Sequence, residues 1–353
     1  MTHALVTGAS GFIGAHLVRE LMRRGHEVSC LVREHSDRSR LEPFAPRFVT
    51  GDVTDPTSIS RALDGVDEVY HLAGVTKCLH VRNYARINED GVANVSKCCA
   101  ERDQPPVLVV VSSLAAAGPS SESKPRTESD TPNPVSNYGR SKLAGERAAM
   151  RFAADVPTTI VRPPIVLGSG DRDGLEMFKT IAKFGFHLAP GFHDDRVSVI
   201  HAEDLSKALM LAASQGRRVS TNPSHATGIY FAADGENPTY AELGRMIGRT
   251  LGRYHAWVIR SPKTAVWCIA TFNELVSQVT RHPNILNLDK AREATAGSWT
   301  CSSEALNRDT GFVPDQSLYQ RLAQTAQWYV EQGWLQAPRQ MQPTLKGRHP
   351  TVS

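Results

Sequence analysis

A short apolar run, Ala4-Leu5-Val6, is followed within a few residues by apolar positions at helical spacing, Leu17, Val18 and Leu21. The change of period predicts a strand running into an amphipathic helix. The alternation recurs along the first half. Gly25 closes the helix, and Glu27-Val28-Ser29-Cys30-Leu31-Val32 reads as a second strand. Phe48-Val49-Thr50-Gly51-Asp52-Val53-Thr54-Asp55 reads as a third strand passing into a loop. Glu68-Val69-Tyr70-His71-Leu72-Ala73-Gly74 reads as a fourth, ending in small residues. Val107 to Val111 is a continuous apolar run, as expected of a central parallel strand buried on both faces. With helical patterns between the strands, βαβ units with right-handed crossovers follow. The expected outcome is an α/β fold with a doubly wound parallel sheet and its ligand site at the carboxyl ends of the strands.

The first strand-to-helix turn is Thr7-Gly8-Ala9-Ser10-Gly11-Phe12-Ile13-Gly14. Such a turn aims backbone N–H groups and the positive end of the helix at a phosphate. Gly8 permits the tight turn, Gly11 leaves room for a pyrophosphate, and Gly14 lets helix and strand pack closely. In an NAD-preferring Rossmann unit, an acid at the end of the second strand holds the ribose 2′-hydroxyl. Here that strand ends Leu31-Val32-Arg33, with Arg38 and Arg40 in the next turn. A guanidinium suits a 2′-phosphate, so NADP is expected over NAD, the competing reading being a solvated Arg33 paired with Glu34.

Tyr138-Gly139-Arg140-Ser141-Lys142 carries the chemistry. Positions i and i+4 share a helix face, so Tyr138 and Lys142 address one ligand. A tyrosine titrates near pH 10, at about 10, and a neighbouring cation pulls it toward the working range. A serine at the end of the Val107–Val111 strand would hold the substrate oxygen while Tyr138 moves the proton.

Together, TGASGFIG (7–14), GDVTD (51–55), HLAG (71–74), Asn88 with Gly91, Ser112-Ser113, YGRSK (138–142) and Arg162-Pro163 resemble the extended short-chain dehydrogenase/reductase family. The resemblance covers about the first 235 residues and is weaker beyond, though Val197 to Leu205 also resembles a recurrent family segment. It implies a catalytic triad of Ser113, Tyr138 and Lys142, with Lys142 tuning Tyr138 and holding the nicotinamide ribose. It implies cofactor contacts from Gly8, Ser10, Gly11, Phe12, Ile13, Gly14, Arg33, Asp52, Val53, Leu72, Ala73, Gly74, Asn88, Ser112, Pro163 and Val166, besides Tyr138 and Lys142. It also implies a homodimer formed through the YxxxK helix and the helix before it. Cys98-Cys99 and Ala148-Ala149 would lie on that face or in the core.

The expected organisation is an NADP-binding domain over 1–165, completed by segments within about 197–235. A smaller, mainly helical lobe over about 166–196 and 236–335 would bind substrate, and a Pro/Gln/basic tail over 336–353 is expected to be disordered. Residues 214–227 read as an exposed loop. The 353 residues are 41% hydrophobic, enough to bury a core beyond one small domain. The net charge of +4 is scattered, and no basic run points to nucleic acid. The six cysteines (Cys30, Cys78, Cys98, Cys99, Cys268, Cys301) show no framework spacing, and the thirteen histidines no ligand set, so no metal is argued for. The first strand begins by Ala4, leaving no room for a signal peptide, and no apolar stretch reaches spanning length. A cytoplasmic enzyme is expected. Ala265 to Phe272, after Pro262, reads as a core-facing helix, with a lid or shallow membrane contact through Trp267 as the alternative.

Arg162-Pro163-Pro164-Ile165-Val166-Leu167-Gly168-Ser169-Gly170-Asp171 resembles the 3β-hydroxysteroid dehydrogenase and dihydroflavonol reductase branch. Ile165 occupies the place where sugar-nucleotide epimerases commonly hold an asparagine. Leu114-Ala115-Ala116-Ala117 after the serine pair offers no second acid or base. Reversible hydride transfer between a ketone and an alcohol, on a fairly apolar substrate, is the leading expectation. Arg196 matches an arginine used on sugar diphosphates, against which stands an ion pair with Asp194 or Asp195. The alternatives are a nucleotide-sugar 4-epimerase holding NAD tightly, and a non-catalytic NADP-binding redox sensor.

Overall fold

The computed structural model describes residues 2–336 apart from 122–123, 192, 221–226 and 281–286. In chain order the first half contains β1 (His3–Thr7), α1 (Phe12–Arg23), β2 (Glu27–Val32), β3 (Arg47–Thr50), α2 (Pro56–Ala62) and β4 (Glu68–His71). Then come α3 (Val81–Tyr84), α4 (Asp90–Ala100), β5 (Val107–Val111), α5 (Leu114–Ala117), α6 (Asn137–Met150) and β6 (Thr158–Arg162). The second half contains β7 (Ile165–Leu167), α7 (Arg172–Phe184), β8 (Phe186–Pro190), β9 (Val199–His201), α8 (Ala202–Ser214) and β10 (Ile229–Phe231). It ends with α9 (Tyr240–Thr250), β11 (Trp257–Ser261), α10 (Lys263–Thr280), α11 (Leu288–Ala294), α12 (Glu304–Thr310) and α13 (Leu318–Glu331).

Seven strands form one parallel sheet in the order β10-β6-β5-β4-β1-β2-β3. The reversal of strand order beside β1 and β4 opens the crevice in which such sheets bind ligands. Alternation along β5 explains its uniformly apolar sequence. Val109 and Val111 join α1 and α8 in a core on one face, through Leu17, Leu21, Leu205 and Leu209. Leu108 and Val110 join α2, α4 and α6 on the other, through Ile59, Val95 and Ala148. Cys98, Cys99, Ala148 and Ala149 are buried in this second core, the second of the two readings given for them. A further core gathers Phe178 of α7, Leu243 and Ile247 of α9, and Leu322 and Tyr329 of α13.

Two expectations change at element ends. β4 stops at His71; the Leu72 N–H still donates to Thr7 O of β1 at 3.1 Å, and the chain then passes into a loop. The segment at Ala265–Phe272 is not a core-facing helix. Within this segment only Val266 and Ala270 are buried, against Ala291 of α11, while Trp267, Ile269 and Phe272 stay exposed. Of the loop expected over 214–227, Ser214 ends α8 and residues 221–226 lie outside the described residues, as does nearly all of the tail expected from 336. No helix among the described residues is long and apolar enough to cross a membrane.

Candidate active site

The glycine turn is dictated by backbone crowding. Gly8 has φ +70°, and a Cβ there would stand 2.6 Å from Ala73 N. A Cβ on Gly14 would stand 2.3 Å from Gly8 O. At Gly11 a Cβ would meet only Gly8 O, at 3.1 Å, and otherwise open space. Gly11 is the N-cap of α1 with no side-chain hydrogen bond, so the N–H groups of Phe12 and Ile13 face the crevice ahead of the helical ladder. This open cradle at a helix N-terminus fits a dinucleotide pyrophosphate. Across it, the Thr7 hydroxyl meets His71 Nδ1 at 2.9 Å and accepts the Ala73 N–H at 3.2 Å, fixing the Leu72–Gly74 wall. Burial, then the nearby Lys142, depresses His71 to about 3, so the ring is neutral.

Arg33, Glu34, His35, Thr50, Gly51, Asp52 and Asp55 line a groove of about 560 Å³ at the ends of β2 and β3. Arg33 is exposed on its rim. The other two arginines point elsewhere: Arg38 lies 5.1 Å over the Phe48 ring, and Arg40 donates to Gly170 O at 3.0 Å. Asp52 accepts the N–H and the hydroxyl of Thr54, both at 2.8 Å. Burial pushes its carboxyl up, but the Thr54 bonds, with Arg33 and Arg86, outweigh it and hold Asp52 below the usual range. Val53 packs under Gly91.

Asn88 lies in a π-helical turn, Ala85–Glu89. Its amide accepts Val75 N–H at 2.8 Å and donates to Val75 O and Ser141 Oγ, both at 2.9 Å. It therefore anchors the loop after β4 to α6. Ser112 turns away from the crevice. Its hydroxyl donates to Glu146 Oε1 at 2.5 Å, and Arg162 grips the same carboxylate at 2.8 and 2.6 Å. This pair is fully buried beneath the site.

Ser113 caps α5, its Oγ accepting Ala115 N–H at 3.1 Å, and its hydroxyl is among the groups that lower the Tyr138 phenol. The Leu114 N–H donates to Pro163 O at 2.8 Å, which fixes Ser113 against the end of β6. Lys142 is buried, and its Nζ donates to Val111 O at 2.7 Å. Burial lowers it to about 8, against the pull of Glu146. Sequence reading assigns Lys142 the tuning of Tyr138, but the cation acting on the phenol in this arrangement is Lys290, whose Nζ lies 5.5 Å from the ring centroid. Burial raises Tyr138; Lys290 and the Ser113 hydroxyl pull it back down, and Glu293 pushes it up.

Helix α11 is the part of the site that sequence reading missed. Asp289 accepts the N–H groups of Asn137 and Tyr138 at 3.0 and 2.9 Å, completing the N-terminus of α6 beside Ser136, which caps Gly139. Ser136 in turn donates to Glu293 at 2.6 Å, and Lys290 bonds Glu293 at 2.8 Å. Nothing in the spacing of these residues signals a partner about 150 positions away. Glu146 was legible, four residues after Lys142 on the same face.

The substrate-side candidates spread apart. Ile165 and Val166 are half-buried on β7, paired with Val199 and Ile200. Arg196 turns outward, its Nη1 donating to Asn237 O at 2.8 Å with Glu242 at 4.0 Å, which corrects the expected pairing with Asp194 or Asp195. Asp194 binds Arg260 instead. Trp267 lies on the flank of α10.

A family model described as NAD dependent epimerase/dehydratase family matches residues 4–224. The chain is 31% identical over 333 residues to ceramide reductase of Caulobacter vibrioides, covering 94% of this chain and 95% of that protein. It is 26% identical over 338 residues to sterol demethylase protein B of Methylococcus capsulatus, covering 94% and 99%. The fold is shared with dTDP-glucose 4,6-dehydratase of Bacillus anthracis in complex with NAD, at TM-score 0.75 and 16% identity over 95% of this chain and 99% of that one.

Proposed function

The chain belongs to the NAD dependent epimerase/dehydratase family, and we propose that it is an NADP-dependent reductase of a ketone or aldehyde on an apolar, lipid-like substrate, running in reverse as an alcohol dehydrogenase. It is an oxidoreductase of the short-chain dehydrogenase/reductase type. The finer reading is supported by Ser113 at the end of β5, Tyr138 with Lys142 one turn on in α6, and an α5 segment, Leu114–Ala117, that bears no second acid or base. Such a site suits one hydride and one proton.

The cradle at Gly11 would hold the pyrophosphate, Arg33 the 2′-phosphate, and Lys142 the nicotinamide ribose. When bound, the reduced nicotinamide supplies the hydride. Ser113 Oγ and Tyr138 Oη orient the substrate carbonyl oxygen, and Tyr138 gives it the proton that completes the alcohol. The phenolate left behind is stabilised by Lys290 and the Ser113 hydroxyl until solvent reprotonates it. The lipid substrates named for the relatives, ceramide and sterol, support an apolar substrate.

Arg196 counts against the 4-epimerase reading, because its guanidinium is held by the Asn237 carbonyl. The intact Tyr138 counts against a sensor without turnover. The six free cysteines support a reducing, cytoplasmic compartment. Titration with NADPH and NADH, followed by NADPH oxidation with long-chain and steroidal ketones, tests the reading. NADPH-selective binding and ketone-dependent oxidation are expected. Co-purified NAD with turnover of a nucleotide sugar would replace this reading with the epimerase.

A further inference from the structure

From Leu243 through Asn273 the sequence contains no aspartate or glutamate, yet it holds Arg245, Arg249, Arg253, Arg260 and Lys263. The same stretch supplies one strand of an isolated two-stranded parallel ribbon, β8 with β11. The register places Trp257 beside Phe186 and Ile259 beside Leu188, on one face. The other face is inward: His187 and Ala189 are buried. The outward face is left to solvent, with Trp257 77% and Leu188 53% exposed. Phe184, 61% exposed, extends it by stacking on Phe186 at 5.8 Å.

Cations border these side chains. Lys183 Nζ lies 5.0 Å over the Phe184 ring, and Arg253 is held beside it by a 2.8 Å bond to Ala182 O. Arg260 follows Ile259 and pairs with Asp194; Lys263 lies just past the end of β11. A contiguous exposed aromatic and aliphatic face marks a contact surface. Tryptophan and aliphatic groups ringed by long cationic side chains match the boundary of a bilayer, where apolar groups enter and cations meet phosphates.

We propose that the outer face of the β8/β11 ribbon docks on an anionic lipid bilayer. Charge decides the occupant. In a two-fold contact between copies of this chain the same patch would face itself, bringing the bordering cations of both copies together, whereas anionic headgroups neutralise them. This surface stands independently of the substrate, since no residue of it belongs to the candidate active site.

The test is flotation of the full chain with phosphatidylcholine vesicles, with and without phosphatidylglycerol. The wild-type protein is expected to float with the anionic vesicles, less so as salt is raised. Trp257→Glu with Ile259→Glu is expected to cut the bound fraction at least about tenfold with an unchanged melting temperature. Lys183→Glu with Arg253→Glu should weaken binding to anionic vesicles only. Brominated anionic lipid should quench wild-type tryptophan fluorescence, a readout that needs no variant. Absence of flotation and quenching would overturn the proposal. So would a wild-type dimer that dissociates in the Trp257→Glu, Ile259→Glu variant without any vesicle binding.

Discussion

Asp289 Oδ2 accepts the backbone N–H of Tyr138 at 2.9 Å, so a residue from late in the chain holds the first turn of the helix that presents the phenol. Asp289→Ala leaves the N–H groups of Asn137 and Tyr138 without that acceptor. A loss of about 1–3 kcal/mol in urea unfolding is expected. Because the bond orients Tyr138 and not the glycine turn, kcat should fall while NADPH affinity holds. An equal fall in both would assign Asp289 a purely structural role.

Lys290 Nζ lies 5.5 Å from the Tyr138 ring centroid and acts to lower the phenol. Its removal in Lys290→Met should raise the pKa of Tyr138, since burial then acts with less opposition. In the alcohol-oxidation direction, which needs the phenolate, the rising limb of kcat/KM against pH should move to higher pH. Glu293→Gln should move it lower. Lys290→Arg should restore the wild-type limb. Coincident profiles for all four proteins would remove Lys290 from the proton chemistry.

Tyr138→Phe deletes the proposed proton donor and keeps the ring. Turnover should fall by about 10²–10⁴ while cofactor binds nearly as before. Arg33→Ala should weaken NADPH far more than NADH in the same titration; equal weakening would reassign the cofactor preference.

Glu146 and Arg162 form a buried pair at 2.6 Å that also receives the Ser112 hydroxyl. Glu146→Gln strands the guanidinium without its countercharge, and a loss of about 3–5 kcal/mol is expected. Adding Arg162→Met should recover part of it, which a double-mutant cycle measures.

Burial depresses His16 from 6.5 to about 4, although its ring donates to Ser169 O. As pH falls through 6.5 the unfolded chain takes up a proton that the native chain refuses. Stability therefore declines from pH 6.5 to about 4, by up to about 3 kcal/mol from this residue. His16→Gln removes that slope. Melting curves of the two proteins across this range should converge at the acid end; a constant gap would refute the linkage.

The sheet was readable in the sequence because burial on both faces makes β5 uniformly apolar, and the glycine turn because backbone crowding admits nothing larger. The placement of Tyr138 and Lys142 one turn apart on one helix, and of Ser113 just past a strand end, was readable through one helix period and one apolar run. Other roles were hidden by direction, which spacing does not encode. Ser112 and Ser113 are neighbours, yet one faces Glu146 and the other Tyr138. The contribution of α11 was hidden by distance along the chain. The exposed face of α10 was misread because a run of apolar residues looks the same whether covered or bare.

The position of α11 also sets an order of events on the ribosome. All seven strands of the main sheet, the glycine turn and Tyr138 are synthesised before Leu288. Until then the first turn of α6 lacks Asp289, and the phenol lacks Lys290. A chain ending before Leu288 holds the residues of the glycine turn and Tyr138 but not Asp289 or Lys290. The N-terminus of α6 is thus completed only once the last part of the chain has been made.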